Sequence, residues 1–151
     1  MRKFKKTIKI GSLYIGGSNP IRLQSMTNTK TKDIHKTVSQ ILELEKIGCE
    51  IIRVAVTDIE DAIAIKEIKN QIHIPIVADI HFDHNLAIES IKSGADKIRI
   101  NPGNIGADDK VKLVANACKA ALDAADAVTV SNEEHAVARV IYDLEAGKYQ
   151  L

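Results

Sequence analysis

Tryptophan is absent, and two phenylalanines and three tyrosines make up the whole aromatic content. So sparse a set (Phe4, Phe82, Tyr14, Tyr142 and Tyr149) offers no stacking platform for a single-stranded nucleic acid. Charge of one sign is also lacking: 21 Lys and Arg face 20 Asp and Glu, a formal net charge of +1. Nothing in that balance favours nucleic acid or an acidic membrane surface as partner, and neither is expected. Cysteine is limited to Cys49 and Cys118, outside any C-x-x-C spacing. Two cysteines build no disulfide framework, and by themselves they hold neither an iron–sulfur cluster nor a structural zinc. They read as buried free thiols of a reducing cytosol. No window approaches the ~18 consecutive apolar residues of a membrane span. The basic start MRKFKKTIKI has no apolar core behind it and does not read as a signal peptide. The expected location is therefore the cytoplasm, and no linker or low-complexity segment divides the expected single α/β domain, 1–151.

What is present is a globular composition, 45% hydrophobic and 27% charged, which excludes a disordered chain or a coiled coil. Strand and helix patterns alternate along it. TIKIGSLYIGG alternates apolar and polar residues and turns at Gly16–Gly17, so Thr7–Ile15 reads as a short hairpin ahead of the main fold. IRLQSM, EIIRVAV, IPIVADI, ADKIRIN and ADAVTVS read as strands. A helical pattern follows each of them, with Thr57 or Asp58 as cap of the second helix and Gly48, Gly94 and Gly147 as stops. Five such βα units predict right-handed crossovers and a parallel sheet. A complete eight-unit barrel needs about 250 residues. The pattern therefore fits a partial TIM-barrel type or, alternatively, an open flavodoxin-like five-stranded sheet.

Strands of parallel sheets are normally near-continuous apolar runs, because both faces are covered. Here polar residues interrupt them near the C-terminal ends, where such folds place their sites. The first strand carries Arg22 and Gln24, and the second Arg53. The third carries Asp79 and His81, and the fourth Arg99 and Asn101, each pair on one face by the two-residue period. Burying such groups singly costs several kcal/mol, so they read either as one site for an anionic ligand or as an ion-pair network that organises the sheet. Arginine suits phosphate, since its planar fork donates two parallel hydrogen bonds. DIHFDH (Asp79, His81, Asp83, His84) also offers metal ligands, although Asp83 suits a helix cap, and no metal is expected there. NPGNIG, with Gly103, reads as a tight βα turn or as a loop whose amides approach an anion.

Four segments in this order, PIRLQSMTNT, GCEIIRVAV, HIPIVADIHFD and DKIRINPGNIG, closely resemble the N-terminal domain of the 4-hydroxy-3-methylbut-2-enyl diphosphate synthase family of the non-mevalonate isoprenoid pathway. The resemblance covers about residues 5–119; residues 120–151 form a non-matching strand–helix ending. It implies a TIM barrel that binds a small-molecule cyclic diphosphate of methylerythritol at its strand ends. It also implies a C-terminal domain carrying a 4Fe-4S cluster on three cysteines and a glutamate, set over the barrel of a dimer partner. Carried over, Gln24, Arg53, Asp79, His81, Arg99, Asn101 and Gly103 become substrate-binding positions, with phosphate as a simpler ligand. No catalytic residue is assigned. Cys49 and Cys118 do not match the cluster ligands, so no cofactor is expected in this chain. The expectation is a fragment or chimera of that oxidoreductase, inactive alone and possible as a homodimer. A non-catalytic α/β scaffold with a residual phosphate-binding surface is the alternative.

Overall fold

The protein is represented by a computed structural model that describes residues 7–105, 108–121 and 129–130. Two short strands come first, β1 (Ile8–Ile10) and β2 (Leu13–Ile15), paired antiparallel. Their connecting turn lies at Gly11, at φ +55°, where glycine is unstrained, and the chain turns again after β2 at Gly16–Gly17, where Asn19 N–H donates to the Gly16 carbonyl. The main sheet follows: β3 (Gln24–Met26), β4 (Ile51–Val56), β5 (Ile76–Ile80), β6 (Lys97–Ile100) and the two-residue β7 (Thr129–Val130), all parallel. Between them run α1 (Ile34–Lys46), α2 (Ile59–Lys69), α3 (His84–Lys92), α4 (Pro102–Ile105) and α5 (Asp108–Ala121). The last helical pattern, residues 132–147, lies outside the described residues.

Local chemistry explains the helix starts. The carboxylates of Asp33, Asp58 and Asp83 accept from backbone N–H groups of the first turn of α1, α2 and α3, which otherwise have no partner. The first strand is shorter than its apolar pattern. Arg22 turns to Glu50 at 2.6 Å, and the second Glu50 oxygen accepts from Leu23 N–H, so residues 21–23 are tied down outside the ladder.

Strand order is β3-β4-β5-β6-β7, each strand beside its successor in the chain. Ile52, Val54, Ile76, Ala78, Ile98 and Ile100 on one face form a single core with Ile41 of α1, Ile65 of α2, Ile91 of α3 and Val114 of α5. Described helices therefore cover one face in chain order. An open flavodoxin-like sheet has order 2-1-3-4-5 and helices on both faces. The singly wound arrangement is that of a partial barrel, and it corrects the open-sheet alternative. On the other face Ile10 packs with Ile51 and Val77, near the strands' N-terminal ends. The hairpin thus packs on the N-terminal end of that face.

Candidate functional site

In a parallel ladder, directly opposed residues point to the same side. The register sets Arg53 beside Met26 and Val77, and Asp79 beside Ala55 and Arg99. Arg53, Asp79 and Arg99 therefore share the face that the helices do not cover. Asp79 is buried, at 2% exposure. Its carboxylate is divided between the arginines: Oδ1 accepts from Arg99 Nη1 at 2.5 Å, and Oδ2 lies 3.4 Å from Arg53 Nε. Both guanidinium side chains remain about 30% exposed. Arg53 Nε also donates to Met26 Sδ at 3.2 Å. His81 follows directly on β5, its Nε2 4.0 Å from Asp79 Oδ2, with its side chain 43% exposed at the rim.

The other expected positions are less closely gathered. Asn101 follows β6, and its carbonyl accepts from the N–H groups of Asn104 and Ile105, so it leads into α4. Gly103 stands inside α4, where Pro102–Ile105 form a helical turn of four residues. Gln24 opens β3 opposite Ile51, one pleat N-terminal to the level of Arg53 and beside the apolar hairpin contact. It is exposed and makes no described hydrogen bond to the arginines. Two neighbours went unread in the sequence. They are Met26, and Lys97, first in β6, which is half-buried on the same face beside Val77. Its pKa is held below the ordinary lysine range, first by burial and then by the positive charges of Arg53 and Arg99.

The metal reading of DIHFDH does not assemble. Asp83 caps α3 through Asn85 N–H at 2.9 Å, and His84 has joined the helix. Among the described residues no group of three or more His, Cys, Asp or Glu could hold a metal ion. Cys49 lies just before β4, while Cys118 is buried in α5 with its thiol pushed up to about 11 by burial. The two sit on different layers, so the cysteines of this chain do not make a cluster ligand set.

The architecture has a counterpart among solved structures. Dihydropteroate synthase of Xanthomonas albilineans, in complex with indole-2-carboxylic acid and 6-chloroguanine, superposes at TM-score 0.58 and 15% identity, over 93% of this chain and 57% of that one. At that identity the likeness concerns the fold alone. Curated relatives are much nearer in sequence. The 4-hydroxy-3-methylbut-2-en-1-yl diphosphate synthase (flavodoxin) of Caldicellulosiruptor saccharolyticus is 71% identical over 114 residues, 76% of this chain and 33% of that protein. The synthase of the same name from Caldanaerobacter subterraneus is 63% identical over 119 residues, 79% of this chain and 34% of the relative. That from Thermotoga maritima is 61% identical over 113 residues, 75% of this chain and 33% of the relative. The chain spans about a third of the length of these relatives. The GcpE TIM-barrel domain matches residues 5–126, well over half of the sequence, and so the chain belongs to the GcpE family.

Proposed function

We propose that the open face of the sheet binds the diphosphate of a cyclic methylerythritol diphosphate, as the substrate-binding part of a 4-hydroxy-3-methylbut-2-enyl diphosphate synthase in the cytoplasm. One observation carries this reading: a buried carboxylate fixes two half-exposed arginines side by side at the C-terminal end of a parallel sheet. A guanidinium fork suits the oxygens of a phosphate, and both side chains are partly exposed. Arg53 and Arg99 would hold phosphate oxygens, with Asn101 beside them. Asp79 would keep both forks in place, and His81 at the rim would meet the hydroxyls. Gln24 and Gly103 are peripheral in this reading.

The ring opening needs two electrons; a ring C–O bond breaks and one oxygen leaves as water. When bound to the complete protein, the 4Fe-4S cluster expected for the family supplies those electrons. Residues of this chain position the substrate and balance its charge, which is the protein's share in such chemistry. No turnover is expected from these 151 residues alone. Calorimetric titration of the chain with pyrophosphate tests the binding part. A hydrogen bond to a charged group contributes about 1.5–3 kcal/mol. Arg99→Ala should therefore weaken pyrophosphate roughly ten- to a hundredfold, while Lys66→Ala, exposed on α2, should not. Equal affinities would leave the arginines as a structural network.

A further inference from the structure

Arg53 Nε lies between two unlike acceptors: it donates to Met26 Sδ at 3.2 Å and stands 3.4 Å from Asp79 Oδ2. The ladder fixes the sulfur contact. Met26 is opposite Arg53 in the register, and Thr27 N–H donates to the Arg53 carbonyl at 3.0 Å, so the two backbones are held together and the side chains meet on one face. Met26 is 37% exposed, on the edge strand of the described sheet. A thioether is a weak acceptor. Packing alone does not call for it here, because leucine fills nearly the same volume and has no sulfur to oxidise.

We propose that Met26 is a modification site: hydrogen peroxide oxidises its thioether to the sulfoxide, and the sulfoxide oxygen takes hold of the Arg53 guanidinium and weakens anion binding at this face. In that step the sulfur attacks one peroxide oxygen; the O–O bond breaks and an S–O bond forms. Sulfur gives up two electrons, and the peroxide is reduced to one water that carries both of its hydrogens. The product is polar where the thioether was apolar. Its oxygen bears partial negative charge and accepts hydrogen bonds far better than the sulfur did. Bonded to Arg53, that oxygen repels phosphate oxygens and competes with them for the same donors. Sulfoxide reductases return the thioether, so the change is reversible. The inference rests on the reading of this face as an anion site.

The test uses the full chain and its Met26→Leu and Arg53→Ala variants, each before and after treatment with hydrogen peroxide. Met26 is the only methionine after Met1, so the mass of one added oxygen on the tryptic peptide 23–30 reports it alone. Peroxide should add that oxygen to the folded chain, weaken pyrophosphate about three- to tenfold in calorimetry, and shift the Nε–H resonance of Arg53. Methionine sulfoxide reductases should restore both. Met26→Leu should show neither change under the same treatment, which separates the effect from oxidation of Cys49. An oxidised peptide with an unmoved Arg53 resonance overturns the proposal. So does a loss of affinity in treated Met26→Leu, or a Met26 that resists peroxide until the chain is unfolded. If Arg53→Ala weakens pyrophosphate and oxidation of Met26 does not, the modification site is rejected and the anion site stands. If Arg53→Ala binds pyrophosphate as tightly as the unaltered chain, the reading of the face fails, and this inference with it.

Discussion

Asp79 organises the open face, because its two oxygens hold both arginines while it is almost wholly buried. Asp79→Asn keeps the shape and removes the charge, leaving two guanidiniums facing each other. A loss of about 2–3 kcal/mol is expected in urea unfolding, the scale of a charge-assisted hydrogen bond left unmade. An unchanged midpoint would show that the arginines stand without it. The cysteines differ in the same local terms. Burial pushes the Cys118 thiol up to about 11, so at pH 8 only about one in a thousand is thiolate, the reactive form. Iodoacetamide on the folded chain should therefore label half-buried Cys49 first, and Cys118 only on unfolding. Mass spectrometry of the peptides checks this; early labelling of Cys118 would show that α5 is open.

At the scale of elements, the hairpin is held by close approach. A Cβ on Gly11 would come within 2.9 Å of Asp96 Oδ1 and 3.0 Å of Pro75 Cγ, at a φ of +55° that side chains resist. Asp96 is itself hydrogen-bonded to Lys69 and to the start of β5, so it has little room to yield. Gly11→Ala should destabilise by more than about 1 kcal/mol and expose Ile10, with urea unfolding as the measure. Helix α2 depends on Asp58, which caps it and pairs with Lys32. The Lys32 hydrogen bond, then the Asp61 amide, holds the Asp58 carboxyl below its ordinary value. A carboxylate depressed in the folded state adds stability above its unfolded pKa, near 4, and loses it as pH falls through the lower folded value. Asp58→Ala should therefore lower the urea midpoint at pH 7 and lower it progressively less below pH 4. A difference independent of pH would contradict the ionic part.

Much of this was legible from alternation. Arg53, Asp79 and Arg99 stand out because each interrupts an apolar strand, and the period of two puts them on one face. The caps Asp58 and Asp83 were legible for a similar local reason. Register was not. Gln24 lies at the wrong end of its strand because Arg22 and Leu23 are drawn to Glu50, 28 and 27 residues away, a contact no local pattern reveals. Lys97 was passed over because its burial arises from neighbouring strands, not from its own. Strand order likewise depends on how successive crossovers stack, so periodicity left barrel and open sheet equal.

At the scale of the whole molecule, the sheet has a bare flank. Among the described residues no strand pairs with the outer side of β3. Beside it Ile21 is 74% exposed and Leu23 61%. An unpaired parallel edge with exposed apolar side chains is a template for another strand. We expect the chain of 16.5 kDa to associate in solution, with light scattering giving at least twice that mass and Leu23→Lys reducing it. A clean monomer would show that the flank tolerates water.

The central claim is that the face around Asp79, which no described helix covers, is an anion site. An amide-resolved nuclear magnetic resonance titration with pyrophosphate tests it most directly, because every strand reports separately. The shifts should concentrate at Arg53 of β4, from Asp79 of β5 to His81 just after it, and from Arg99 of β6 to Asn101 just after it. Shifts confined to the outer helices, or none at saturating pyrophosphate, would contradict it.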